Sequence, residues 1–305
     1  MKVVFLDAAT LPRTLSFTAP GIEYIAYAST SPAEVMPRIG DASVVITNKV
    51  RLTADDMRAA AKLRLIAVAA AGTDNIDLAA AARQGIEVAN VPDYGSDSVA
   101  EHVIASLFAL RRNLVTYASA AVDGRWSASG QFCWAGPPIR DIGGSLFGVV
   151  GRGRIGEAAA RLARGLGMEV VFAQSPGKPR REDELPLSEL LVRADVLTLH
   201  VPLKPDTRFL INQEALARMK PDAVIINTGR GALIDPDALA NALRKGVIAG
   251  AAIDVLDVEP PPANHPLLAR DIPNLLCTPH VAWASERAQG RLAARLEQLV
   301  ERSMA

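Results

Sequence analysis

The chain has 305 residues, half of them hydrophobic and 22% charged, which is ordinary globular composition and enough length for two domains with separate cores. Its 33 lysines and arginines balance 33 aspartates and glutamates, so no global field recruits nucleic acid or an acidic membrane surface. The two cysteines, Cys133 and Cys277, lie far apart, make no metal-ligand spacing and suit a reducing compartment.

The opening MKVVFLDA has a short apolar run that stops at Asp7, so it reads as a first strand rather than a secretory leader. The longest apolar stretch, 63–71, contains Arg64 and is too short to span a bilayer. The expected setting is the cytoplasm.

In the first hundred residues, short β-branched runs alternate with alanine-rich segments. Strands are predicted at 3–6, 24–27, 44–47, 65–69 and 87–91, with helical segments at 53–62 and 78–84. These runs are continuously apolar rather than alternating, which means that both faces are covered, as in a parallel α/β sheet. Residues 91–98, VPDYGSDS, gather proline, glycine and N-capping residues and mark a boundary. A long amphipathic helix is predicted at 99–111. An irregular stretch at 123–144, rich in glycine and proline and carrying Trp126, Phe132 and Trp134, suits partner contact or a lid. A second α/β unit starts at Ser145, with strands at 147–151, 169–173, 196–200, 223–227, 250–254 and 275–278. Six strands with intervening helices fit the two-half dinucleotide fold. Residues 285–302 read as a closing helix.

Gly151-Arg152-Gly153-Arg154-Ile155-Gly156 matches G-x-G-x-x-G, follows the strand LFGVV and opens an alanine-rich helix. In that context Gly151 makes the tight turn, Gly153 lets a pyrophosphate approach the backbone, and Gly156 lets helix and strand pack closely. The helix N-terminus supplies amides and partial positive charge, to which Arg154 adds its own. The acid that usually holds the adenosine ribose is missing. Gln174 and Ser175 stand there instead, and neither carries a charge that would repel a 2′-phosphate. Lys178, Arg180 and Arg181 follow as phosphate partners. Two readings stay open: Gln174 holds the ribose of NAD while the arginines pair with Glu182, Asp183 and Glu184, or the site takes NADP. The missing acid tips the balance toward NADP being accepted.

Of the four histidines, His102, His200, His265 and His280, two fall at strand ends, where ligands sit in open α/β sheets. His280 is the better candidate for proton transfer, because His200-Val201-Pro202 more naturally lines a cofactor groove. Two other strand ends carry polar groups. Asn227-Thr228-Gly229-Arg230-Gly231 projects an arginine from a tight loop, and Asp254 precedes Glu259 in DVLDVEPPP. An arginine, a glutamate and a histidine at three ends of one sheet suggest a division of labour. Arg230 grips a carboxylate bidentately, His280 moves a proton, and Glu259 holds the histidine and favours its charged form. Each residue alone would read as a surface ion pair or a loop cap; their convergence points to chemistry.

These motifs resemble those of the D-isomer-specific 2-hydroxyacid dehydrogenases. The resemblance is carried by AAAGTDNID (69–77), VAEH (99–102), GVVGRGRIG (148–156), HVPL (200–203), INTGRGALID (226–235), AIDVLDVEP (252–260) and TPHVAW (278–283), in the family's order. GQFCW and PHVAWAS point toward its glycerate dehydrogenase, or hydroxypyruvate reductase, branch. The resemblance implies two doubly wound parallel-sheet α/β domains. One is a flavodoxin-like substrate-binding domain of residues 1–97 plus 284–305, the other a Rossmann dinucleotide-binding domain of residues 98–283. It also implies a cleft that closes about hinges and a homodimer joined through residues 100–140.

The implied activity is hydride transfer between NAD or NADP and a small 2-oxo acid, with hydroxypyruvate or glyoxylate first. Arg230 would bind the carboxylate and polarise the carbonyl, His280 would be the acid/base, and Glu259 its partner. Asp254 would face the nicotinamide carboxamide. Ser98, Val201, Pro202, Thr228 and Gly229 would line the cofactor groove, while Ala71 and Gly72 would offer backbone amides to the substrate. Trp283 stands where a small residue is common and would reshape the pocket. No metal, nucleic-acid or membrane partner is implied. A D-lactate- or phosphoglycerate-type dehydrogenase and a dinucleotide-sensing corepressor without turnover are the rival readings.

Overall fold

The computed structural model describes residues 1–304, which form two compact units: Met1–Gly95 with the chain from Ala284 on, and Ser96–Trp283. The first boundary falls at 95/96 rather than 97/98, because Ser96 already opens a helix.

The first unit carries five parallel strands: β1 (Lys2–Phe5), β2 (Glu23–Ala26), β3 (Val44–Thr47), β4 (Leu65–Val68) and β5 (Glu87–Asn90). Their order, β2-β1-β3-β4-β5, is that of the flavodoxin-like doubly wound sheet. Alternate residues of a strand face opposite sides. Val4, Val45, Ile66 and Val68 pack against Ile39 of α1 (Val35–Ile39), Met57 of α2 (Ala54–Ala59) and Ala80 of α3 (Leu78–Arg83). The final helix, α11 (Glu286–Arg302), buries Leu292, Leu296 and Val300 and lies against β4. Each such side chain contributes roughly 1.5–3 kcal/mol by leaving water. Ser285 caps its start, and Glu297 and Glu301 accept the backbone amides of Ser16 and Thr18 at 2.8 and 2.7 Å. At the end of β1, buried Asp7 accepts the amides of Asn48 and Lys49 and so fixes the loop after β3.

The second unit has seven parallel strands: β6 (Leu146–Val150), β7 (Glu169–Ala173), β8 (Glu184–Leu185), β9 (Val196–Leu199), β10 (Val224–Asn227), β11 (Gly250–Ile253) and β12 (Leu275–Cys277). The order β12-β11-β10-β9-β6-β7-β8 reverses between β6 and β9, and that switch point is where a doubly wound sheet opens a crevice. The expected six strands are seven. The two-residue β8 completes the first half, although a segment so short carries no apolar run to betray it.

Helices cover both faces. On one, α4 (Ser96–Arg111) lays Val103 and Leu107 against Ala159, Ala160 and Ala163 of α7 (Arg154–Gly165), whose small residues let the helices approach. On the other lie α8 (Leu187–Arg193), α9 (Gln213–Ala217) and α10 (Pro236–Arg244), through Leu190, Leu216 and Leu239. The stretch expected to be irregular contains a one-turn helix, α6 (Arg125–Ser129), after α5 (Leu114–Val122). Glycines of positive φ, Gly124 and Gly130, bound it. Trp134 is not idle surface: it meets Tyr117 edge-on, with the Arg125 guanidinium over its ring. Phe132 remains 92% exposed. Among the described residues no helix is long and apolar enough to cross a membrane.

Candidate active site

The three fingerprint glycines answer different demands. At Gly151, with φ of +112°, a Cβ would come within 2.6 Å of the His200 carbonyl, so only glycine fits between β6 and β9. At Gly156 a Cβ would lie 2.1 Å from the Gly151 oxygen, so the start of α7 packs directly on the turn. At Gly153 a Cβ would meet nothing within 4 Å. The first and third glycines are therefore required by the protein itself, while the second keeps open space before α7. Gly153 is also the N-cap and offers no side chain to the first amides of the helix. Arg154 is exposed beside it and Ile155 half-buried.

Arg152, the unassigned residue of the fingerprint, lies over the Phe172 ring and binds Asp183 at 2.7 Å, Glu157 at 2.8 Å and Glu184 at 3.3 Å. Its hydrogen bond holds the Asp183 carboxyl below the usual carboxylate range. The pairing left open for Arg180 and Arg181 is formed only in part. Asp183 and Glu184 answer Arg152, Arg181 reaches Glu184 only at 3.9 Å, and no described acid pairs with Arg180. At the end of β7, the Gln174 amide donates to the Lys178 carbonyl and braces the turn; Ser175 beside it is half-buried. Past β9, desolvation lowers the pKa of His200 to about 4, so its ring is uncharged at neutral pH, with Nε2 2.9 Å from the Thr198 hydroxyl. A group held neutral suits a wall better than a proton donor. Val201 is half-buried and Pro202 exposed, its carbonyl accepting from Thr207.

Beyond β10, buried Asn227 makes the loop rigid. Its Nδ2 donates to the Arg230 carbonyl at 2.9 Å and its Oδ1 accepts from the Gly229 amide at 3.0 Å. Arg230 leaves that loop in extended backbone, with Nη1 donating to the Gly229 carbonyl. A Cβ at Gly231 would come 1.9 Å from the Leu256 carbonyl carbon, so this loop rests on the segment after β11.

Asp254, at the end of β11, is almost fully buried and accepts from Thr278 Oγ1 at 2.6 Å and from the Val281 and Ala282 amides at 2.9 Å. Ser98 Oγ donates to the Ala282 carbonyl at 2.7 Å, tying α4 to the same loop. His280 stands there with φ of +55°, its amide donating to the Asp254 carbonyl. Its Nδ1 lies 2.7 Å from Glu259 Oε2, and Glu259 Oε1 accepts the Leu256 amide at 2.9 Å. A carboxylate only accepts, so Nδ1 carries a proton and Nε2 is left to give or take one.

The pattern of the D-isomer specific 2-hydroxyacid dehydrogenase NAD binding domain matches residues 104–282. A glycerate dehydrogenase of Methylorubrum extorquens is 46% identical over 303 residues, which is 98% of this chain and 95% of that protein. The chain belongs to the D-isomer-specific 2-hydroxyacid dehydrogenases. A hydroxypyruvate reductase of Blautia hydrogenotrophica is 34% identical across 96% of this chain and 93% of its own length. Among solved structures, an NADPH-dependent glyoxylate/hydroxypyruvate reductase of Sinorhizobium meliloti in complex with NADP and malonate superposes with a TM-score of 0.82 at 28% identity, covering all of this chain and 93% of its own.

The chain is thus an NAD(P)-dependent oxidoreductase of 2-hydroxy acids, and its second unit fits the cofactor on its own terms. Space without protein contact stands at Gly153, before uncapped helix amides, and the Thr228 hydroxyl oxygen is buried with no partner. Ser98, Val201, Pro202 and Gly229 lie on the same unit. Of the residues expected to contact substrate, Arg230, His280 and half-buried Trp283 lie on this unit as well. Ala71 and Gly72 follow β4 of the first unit, where Asn90 holds the Ala71 carbonyl.

Sequence reasoning named Asn227 and Gly231 as parts of the tight loop but gave neither a role of its own. The first carried a signal, since Asn readily bonds its own backbone two residues on. The second did not, because its constraint comes from Leu256. Replacing Gly231 with Ala should displace the Arg230 loop and lower kcat/KM on the order of a hundredfold. The expected thermal transition is that of a folded protein. Activity within twofold of the parent would show that the loop shifts without consequence.

Proposed function

We propose that the enzyme reduces hydroxypyruvate to its D-2-hydroxy acid and, after it, glyoxylate to the corresponding achiral 2-hydroxy acid. The observation that carries the reading is the 2.7 Å contact between His280 Nδ1 and Glu259, which leaves Nε2 as the acid. The reduced dinucleotide, with its pyrophosphate at Gly153 and the start of α7, would supply the hydride. Arg230 presents a planar fork to the substrate carboxylate and stabilises charge growing on the carbonyl oxygen, while protonated His280 delivers a proton to that oxygen. Glu259 keeps the imidazole oriented. Asp254 would face the carboxamide while anchoring the His280 loop.

NADP is accepted alongside NAD in this reading. Gln174 and Ser175 carry no repelling charge, and Lys178 and Arg180 have no acidic partner among the described residues. The S. meliloti relative holds NADP. The enzyme also forms a homodimer through residues 100–140, a reading supported by exposed Val115, Val122 and Phe132 around α5.

The test follows loss of reduced-nicotinamide absorbance with hydroxypyruvate, comparing NADH and NADPH. NADPH should serve within about tenfold of NADH in kcat/KM, and Gln174→Asp should weaken NADPH use by at least about tenfold while sparing NADH. Exclusive use of NADH by the parent would overturn the cofactor proposal. Preference for pyruvate or a phosphorylated hydroxypyruvate would replace the substrate, and absence of turnover with every 2-oxo acid would favour a dinucleotide-sensing role.

A further inference from the structure

The segment carrying Glu259, from 255 to 264, is neither helix nor strand and contains Pro260, Pro261 and Pro262. No sheet ladder sets its position, yet Glu259 must hold His280 within hydrogen-bond distance for proton transfer. Something else fixes it.

His265 is only 5% exposed, although an imidazole is rarely buried without a use for its nitrogens. Both are committed. Nδ1 accepts the Leu267 amide at 3.2 Å, so Nε2 carries the proton and donates it to Asp257 Oδ1 at 2.8 Å. Asp257 is bonded in sequence to Leu256, whose amide holds Glu259 Oε1 and whose carbonyl carbon abuts Gly231. The stretch from the Leu256 amide to Asp257 is therefore a junction. On one side it meets the Arg230 loop, on another the carboxylate that orients His280, and on a third a buried histidine anchored in the chain.

We propose that His265 and Asp257 form a latch that positions Glu259, and through it His280, for proton transfer. They are positioning residues, acting through Glu259 rather than on substrate. The proposal rests on the reading of Glu259 and His280 as the acid/base pair.

The geometry distinguishes this role from simple helix capping. H265N reaches only as far as Nδ1, so it keeps the acceptor for the Leu267 amide but loses Asp257. H265Q extends an amide to the position of Nε2 and can again donate to Asp257. D257A breaks the contact from its exposed side and leaves the buried ring in place, which guards against a variant that fails to fold.

The experiment measures hydroxypyruvate reduction and cofactor affinity for the full-length parent, H265N, H265Q, D257A, E259Q and the double variant E259Q/H265N. H265N and D257A should each lower kcat on the order of tenfold to a hundredfold with cofactor Kd unchanged, because reacting groups misplaced by about 1 Å lose that much. H265Q should recover most of the loss. In the E259Q background H265N should add less than about a twofold effect, since the latch then has nothing to position. Full activity in H265N and D257A overturns the latch, as does an undiminished H265N effect in E259Q. Unchanged turnover in E259Q itself removes the acid/base pair, an outcome distinct from failure of the latch alone.

Discussion

Replacing His280 with Asn should lower turnover by about a hundred- to ten-thousandfold and leave cofactor affinity within about a factor of two. The substitution isolates one atom. Asparagine ends near the position of Nδ1, so its amide still donates to Glu259, and only Nε2 is lost. The backbone should tolerate the exchange, because His280 sits at φ of +55° and Asn enters that region more readily than most residues. The loop is in any case held from outside the side chain, by Asp254 accepting Val281 and Ala282. Single-turnover oxidation of the reduced cofactor, paired with a binding titration, separates chemistry from affinity. Turnover equal to that of the parent would remove His280 from the reaction.

Arg230→Ala should reduce kcat/KM for 2-oxo acids by on the order of a hundredfold to a thousandfold, with both KM and kcat affected. A fork that only gripped the carboxylate would bind ground state and transition state alike and move KM alone. One that also faces the carbonyl oxygen stabilises charge that exists only in the transition state, and kcat falls as well. The loop should survive, since Asn227 braces it through backbone groups of Gly229 and Arg230. Arg230→Lys keeps the charge and loses the planar pair of donors, so it should restore part of the KM effect and little of kcat. Retained substrate affinity in the alanine variant would count against the clamp.

Most of the sheets was legible in the sequence because apolar runs bounded by Gly, Pro and Asp mark parallel strands, and the glycine fingerprint placed α7. The misreadings have a common form. Strands expected to end at Gly151, His200, Asp254 and Thr278 each end one residue earlier. In each case the terminal residue leaves the ladder for a turn or loop of the site, and an apolar run cannot show where pairing stops. The helix expected at 99 starts at Ser96, since Ser96 and Asp97 read equally well as caps. What sequence could not show is contact that no motif announces. Arg152 with Asp183, Gly231 with Leu256 and His265 with Asp257 follow no period or motif, and only the fold reveals that they meet.

The first unit is assembled from the two ends of the chain, and this sets an order for its birth on the ribosome. Its five strands emerge first, but the face of β4 that α11 covers must wait while the whole second unit is synthesised. Closing that contact joins segments at opposite ends of the polypeptide, the slowest kind to form by chain search. The intervening unit shortens the search, because once folded it replaces a long flexible loop with a compact body. Until α11 arrives, an apolar sheet face is uncovered, and nascent chains halted before Leu292 are the species that chaperones would be expected to bind.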